Sequence, residues 1–236
     1  MRLPTSPSGG PPDGPPDTPA APAGAATDAV ALLRQLGADP RPRLTWYGPD
    51  DQRVELTGRV LHTWVAKTAH LLLEEADVVP GSRVLVRLGA DWRAPVFWLA
   101  AWYLGAQVLH QDQGAPADVD VVGLSEVRGD HEAARSTTAV LVVVPPGAVA
   151  APAEGLPPGA VDYGGEVSGF PDVPPAPGPR TPLGPPAAEA RRVLVGPEGS
   201  PDRVVATWAA GGSVVLHTGL PAAALERVAA QERTDP

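Results

Sequence analysis

Arg83-Val84-Leu85-Val86-Arg87-Leu88-Gly89-Ala90-Asp91 opens the stretch that decides the fold, and an apolar segment from Trp92 to Leu104 follows it directly. The stretch closes with Gly105-Ala106-Gln107-Val108-Leu109-His110. A short aliphatic run, a turn, an apolar segment of helical length, a glycine and a second short apolar run spell one β-α-β unit. Asp91 is placed to cap the helix, Pro95 lies in its first turn where few backbone bonds are lost, and Gly105 can end it in the left-handed conformation. Trp92, Val96, Leu99 and Tyr103 recur at helical spacing, while Phe97, Trp98 and Trp102 fill the opposite side. The pattern predicts a helix covered all round. The fold class is therefore α/β, with parallel or mixed sheets in layers.

The same order returns late in the chain. Arg192-Val193-Leu194-Val195, a turn, a helix from Pro201 to Ala210, Gly211-Gly212 and Ser213-Val214-Val215-Leu216-His217 repeat strand, helix, glycine and strand. Ser200-Pro201 is a strong helix start. Two related β-α-β units should therefore superpose, each with a parallel strand pair, placing His110 and His217 at corresponding strand ends. Between them, Val119 to Leu124 and Ala139 to Val144 read as buried strands.

Ahead of the first unit, Thr27 or Asp28 caps a short helix with Val30, Leu32, Leu33 and Leu36 inward. Leu44 to Tyr47 and Arg53 to Leu56 form a hairpin around Gly48-Pro49-Asp50-Asp51. Thr57 caps the next helix, whose inward face is Val60, Leu61, Trp64, Val65, Thr68, Leu71 and Leu72. His62, Lys67, His70 and Glu74 then fall mostly on the solvated side. Pro221 opens a last helix with Leu225 and Val228 inward.

Composition divides the chain into four parts. Residues 1–26 are rich in Pro, Gly, Ser and Asp, cannot offset their ordering entropy by burial, and are expected to be a disordered tail. Residues 27–144 hold the first α/β unit, 145–186 a Pro/Gly-rich connection, and 187–236 the second, shorter β-α-β unit. Within the connection, Leu156 to Val167 forms an island that adds an edge strand or packs across the surface, with Tyr163 as its anchor.

The formal charge of -9 argues against nucleic-acid and anionic-membrane surfaces, which need clustered Lys and Arg. Lys67 is the only lysine, and the wealth of Arg, Ala, Pro and Gly reflects a GC-rich coding bias. There is no cysteine, hence no disulfide or thiolate chemistry. No apolar run approaches the ~20 residues that span a bilayer, and the start lacks the charged and apolar regions of a signal peptide. A cytoplasmic protein is expected.

Val54-Glu55-Leu56-Thr57 leading into the Trp64 helix, Val79-Pro80-Gly81-Ser82-Arg83-Val84, and Gly105-Ala106-Gln107-Val108 resemble the amino-terminal region of AMP-binding, adenylate-forming enzymes such as acyl-CoA synthetases. Ala209-Ala210-Gly211-Gly212-Ser213-Val214-Val215 is similar to that family's later L-x-x-G-x-x-V-V-L element. The Leu156 to Val167 island resembles an uncharacterised actinobacterial group distantly similar to those enzymes. The resemblance implies layered sheets like those of the family's N-terminal subdomains, in a shortened form.

Function departs from that pattern. The family cradles ATP phosphates in a Thr/Ser/Gly-rich loop ending in Pro-Lys, because backbone N–H groups and a cation must meet the negative charge. The nearest Gly/Ser turn here, Gly196-Pro197-Glu198-Gly199-Ser200-Pro201-Asp202, carries two acids and two prolines and reads as a plain strand-to-helix turn. The family's later motifs and catalytic lysine have no counterpart, so no residue is assigned as catalytic or cofactor-binding. His110 and His217, with Asp112 nearby, are candidates for metal or general-base chemistry at strand ends. The sequence favours surface or hydrogen-bonding roles for them, and no metal site or cofactor is expected. His131 sits in a polar segment, and Ser200 lacks the frame of a nucleophile elbow. The tryptophans at 64, 92, 98 and 102 read as core. The expectation is a degenerate AMP-binding-like protein, a non-catalytic binding or interaction protein with a small-molecule or protein partner. The alternative is an acyl-activating enzyme or a partner of one.

Overall fold

The computed structural model describes residues 24–109, 116–129, 139–147, 151–197 and 199–234. Asp28 opens α1 (Ala29–Gly37), its carboxylate accepting from the Ala31 N–H at 2.8 Å. β1 (Pro42–Tyr47) and β2 (Arg53–Thr57) pair antiparallel. Their turn puts Asp50 and Asp51 at φ 53° and 58°, two adjacent left-handed residues that match the twist of the strands. Thr57 caps α2 (Gly58–Glu74), its hydroxyl accepting from the Val60 N–H.

The first β-α-β unit follows as β3 (Arg83–Arg87), α3 (Ala94–Tyr103) and β4 (Gln107–Leu109). Then come β5 (Val119–Gly123), α4 (Leu124–Gly129), β6 (Val140–Val144), β7 (Val161–Asp162) and α5 (Tyr163–Glu166), which runs into a 3-10 turn at Val167–Gly169. The second unit is β8 (Arg192–Val195), α6 (Pro201–Ala209) and β9 (Ser213–His217), and α7 (Ala222–Glu232) follows it.

The strands make two sheets. One is parallel throughout, in the order β4-β3-β5-β6-β7; the other is mixed, in the order β2-β1-β9-β8. In the mixed sheet Leu44 pairs with Val214 in parallel, so the early hairpin and the late unit share one sheet. α2 packs on the hairpin and on α3, and α3 packs on β3 and β4, so these helices bridge the two sheets. This arrangement explains why α3 is apolar all round: every residue but Trp102 is buried. Along β6, Val142 and Val144 enter the main core while Leu141 and Val143 enter a smaller cluster with Leu124 and Val127. Both faces of the parallel sheet are thus covered, as its continuous apolar strands require.

The two units agree in detail. Each strand pair is parallel, with Arg83 opposite Gln107 and Arg192 opposite Ser213. Each helix ends on a left-handed glycine, Gly105 at φ 78° and Gly211 at φ 84°. The next N–H turns back in the same way, Ala106 to Ala101 O at 2.9 Å and Gly212 to Thr207 O at 2.8 Å, as a Schellman ending requires. His110 lies outside the described residues, so only His217 of the expected pair is placed.

Three readings are corrected. α3 starts two residues later than Asp91 suggests, with Arg93 at the cap position and no side-chain cap there; the Asp91 carboxylate accepts the Arg93 backbone N–H at 2.8 Å and the Arg93 guanidinium instead of the N–H groups of the helix itself. Val60 is exposed at 43%, since it stands one position off the inward stripe at the start of α2. Lys67 and His70 are largely covered and not on a solvated face, because residues 168–173 lie across them. The four expected core tryptophans do pack into the core, Trp92 and Trp98 buried and Trp64 and Trp102 partly so. Residues 1–23 of the expected tail lie outside the described residues, while Ala26 is buried in the core.

Candidate functional site

In open parallel sheets ligands meet the carboxyl ends of the strands. At that edge of the five-stranded sheet, the chain leaves β3 through Leu88-Gly89-Ala90-Asp91 and leaves β6 through Pro145-Pro146-Gly147. Arg93 joins the two exits. Its Nε and Nη2 donate to the Asp91 carboxylate at 2.7 and 2.8 Å, Nη1 donates to Pro145 O at 2.7 Å, and Nη2 donates to Gly147 O at 2.9 Å. Arg93 is fully buried, beneath the ring of Trp92, which meets Trp64 edge-on at 5.0 Å. Trp46 of the hairpin closes the turn by donating from Nε1 to Ala90 O at 2.8 Å. All three guanidinium nitrogens are bound to protein acceptors, so this arginine fixes the edge and has little left to offer an anion.

A second charged group lies on the α4 face of the same sheet. The Arg87 guanidinium donates from Nε to buried Asp120 at 3.0 Å and stands 3.6 Å from Glu126. Burial pushes the Glu126 carboxyl upward, against the pull of Arg87.

The island anchors as the sequence implies. β7 adds to the sheet edge beside β6, pairing Val161 with Val142. Tyr163 is buried to 0% exposure, and its hydroxyl lies 2.9 Å from the Thr68 hydroxyl of α2. Burial holds that phenol well above its usual range. Lys67, one residue earlier, donates to the carbonyls of Ser168 and Phe170 and pairs with Asp172 at 2.9 Å. His70 bridges Glu74 and Val173 O and stacks on Phe170. The only lysine in the sequence is thus a clasp for the connection.

The turn between β8 and α6 behaves as a helix start. The Ser200 hydroxyl accepts from the Arg203 N–H, and the Gly199 N–H donates back to Gly196 O at 2.9 Å. Glu198 lies outside the described residues. His217, buried at the end of β9, accepts on Nδ1 from the Gly219 and Leu220 N–H groups at 3.2 and 3.4 Å, and burial lowers its pKa. An imidazole held this way caps the turn. Asp112 and His131 also lie outside the described residues. Among the described residues there is no group of three or more His, Cys, Asp or Glu that could hold a metal ion, and no helix long and apolar enough to cross a membrane.

Sequence reasoning missed Arg93 and Asp91 as a pair. Asp91-Trp92-Arg93 carried a signal, a D-x-R step at a strand exit flanked by apolar residues, where a charge must be paired to be buried.

No family model matches the chain. A Mycobacterium tuberculosis "TIGR03089 family protein" is 38% identical over 137 residues, covering 54% of each chain, so this chain matches about half the length of that curated relative. Among solved structures, a Brucella canis acyl-CoA synthetase matches 88% of this chain and 46% of its own, with TM-score 0.69 and 15% identity. The acetoacetyl-CoA synthetase of Streptomyces lividans matches 89% of this chain and 42% of its own, with TM-score 0.66 and 17% identity. The N-terminal domain of FACL13 from Mycobacterium tuberculosis matches 89% and 62%, with TM-score 0.62 and 14% identity. The chain has the fold of the N-terminal part of AMP-binding, acyl-CoA synthetase-like proteins, and its resemblance to an actinobacterial group agrees with the mycobacterial relative.

Proposed function

We propose that this chain is a degenerate, AMP-binding-like protein of the cytoplasm that binds a small molecule or a protein partner and does not itself form acyl adenylates. The single observation that carries the reading is the engagement of Lys67. Adenylation separates charge at the α-phosphate and needs cationic stabilisation worth several kcal/mol in such sites. The sole lysine is committed to two backbone carbonyls and Asp172. Arg93, the cation that joins the two strand exits, is likewise bound on every nitrogen. The strand-to-helix turn at Gly196 adds support: its prolines at 197 and 201 remove two N–H donors that a phosphate cradle would use.

The alternative, an acyl-activating enzyme or a partner of one, draws on the neighbours, which include acyl-CoA synthetases. Thermal shift with ATP, AMP, CoA and acyl adenylates separates the two, because a ligand that binds the native state raises its melting temperature. The non-catalytic reading expects no shift with ATP. A saturable rise with ATP or an acyl adenylate would favour the enzyme.

A further inference from the structure

The clasp over α2 sets a requirement on the charge of one histidine. His70 Nδ1 lies 2.9 Å from Glu74 Oε1, and its Nε2 lies 3.1 Å from Val173 O. Both partners are acceptors, since an ionised carboxylate and a backbone carbonyl have no hydrogen to give. A neutral imidazole carries one N–H and can serve only one of them, which leaves the lone pair of its other nitrogen against an oxygen. Only the imidazolium donates to both.

The surroundings suit that cation. The His70 side chain is 15% exposed, and the Phe170 ring lies parallel to it, 7° between planes. Lys67, three residues earlier on α2, has its charge answered by Asp172 at 2.9 Å. The connection adds no cation here: the charged residues of 163–179 are Glu166 and Asp172. Glu166 accepts from the Asp162 N–H, and burial, with the nearby charge of Glu75, raises its carboxyl. From α3, Tyr103 donates its hydroxyl to Pro175 O, and burial raises that phenol, so it keeps its proton around neutrality.

We propose that residues 168–173 form a proton-gated strap over α2, closed while both nitrogens of His70 carry protons and loosened when one proton leaves. The closed strap holds a proton that an open one can release, so closure is favoured at low pH and lost as pH rises through the titration of the imidazole. Opening withdraws the Ser168 and Phe170 carbonyls from Lys67, so the same event uncovers the only lysine in the sequence. The strap is a property of α2 and the connection, and it does not depend on the non-catalytic reading.

The test follows the full chain from about pH 5.5 to about pH 8, the range over which an ordinary imidazole changes charge. Nitrogen-15 shifts of the imidazole report which nitrogens of His70 carry protons. Hydrogen exchange, corrected for its intrinsic pH dependence, reports protection of the amides in residues 168–173. Protection is expected to fall about threefold or more across that range, the size of one charge-assisted bond at a partly exposed site, in step with loss of the second imidazole proton. Glu74 is 53% exposed, so Glu74→Gln should fold normally. Its amide offers either an oxygen or an N–H, so both charge states of His70 keep both bonds, and protection should become independent of pH. His70→Gln cannot titrate and should flatten the profile as well. A native strap equally protected at both ends of the range, or a pH dependence that survives in Glu74→Gln, would overturn the proposal.

Discussion

Tyr163 and Thr68 form a hydroxyl pair that ties the island to α2, and removing one partner should cost more than removing both. The two oxygens lie 2.9 Å apart and both residues are 0% exposed, so water cannot replace a lost partner. Tyr163→Phe keeps the ring against Phe97, 4.8 Å between centroids, and deletes only the hydroxyl. It should cost about 1–2 kcal/mol, since the Thr68 hydroxyl is left with nothing better than its own helix. Thr68→Val leaves the Tyr163 hydroxyl buried and unpaired, and should cost about 1–3 kcal/mol. The double variant replaces both polar groups by apolar ones of similar shape and should lie close to wild type. Urea unfolding gives the three free energies, and melting temperature should move about 2–4 °C per kcal/mol for a chain of this size. A double variant less stable than both singles, with losses that simply add, would refute the pairing as the source of the anchor.

Three further outcomes follow from the geometry. Gly105→Ala and Gly211→Ala both force a left-handed alanine, costing about 1–2 kcal/mol each, but a Cβ at 105 would meet Pro179 Cδ at 2.8 Å while the nearest atom at 211 is 3.9 Å away; Gly105→Ala should be clearly the worse in thermal melts. His217 and His62 have imidazole pKa values lowered by burial from 6.5, so the unfolded chain binds more protons just below that value and stability is lost as pH falls through it; His217→Asn should flatten, and not steepen, the urea midpoint between pH 7 and 5. Lys67→Met keeps the stem but frees two carbonyls, costing about 1–2 kcal/mol, with little added by the exposed Asp172; limited proteolysis should then cut faster within residues 167–175, and an unchanged cleavage rate would deny the clasp.

Local signals carried most of the architecture. Asp28, Thr57 and Ser200 cap the helices they precede, because a short side-chain acceptor two or three residues ahead of free N–H groups is a purely local event. The left-handed glycines at 105 and 211 ended the helices for the same kind of reason. What the sequence hid were contacts whose partners lie far along the chain. Asp91 has the chemistry of a cap and does accept the Arg93 backbone N–H, yet it also binds the Arg93 guanidinium and the helix begins beyond it, and Arg93 is buried with Pro145 and Gly147 bringing carbonyls to it. Lys67 reads as solvated on a helical wheel, and only the fold of residues 167–173 across α2 covers it. One cavity is lined by residues about 150 positions apart, Arg41 and Arg43 with Arg191 and Arg192, so no window of sequence contains it.

Carboxylate-dependent exchange of labelled pyrophosphate into ATP tests the central claim most directly, because it reports reversible adenylation without requiring a known acceptor. Across fatty, aromatic and amino acids, the full chain should exchange no faster than a control without protein, and Lys67→Ala should leave that background unchanged. Exchange clearly above the control with any carboxylate, abolished by Lys67→Ala in a variant that still melts cooperatively, would contradict the non-catalytic reading and make Lys67 part of the chemistry.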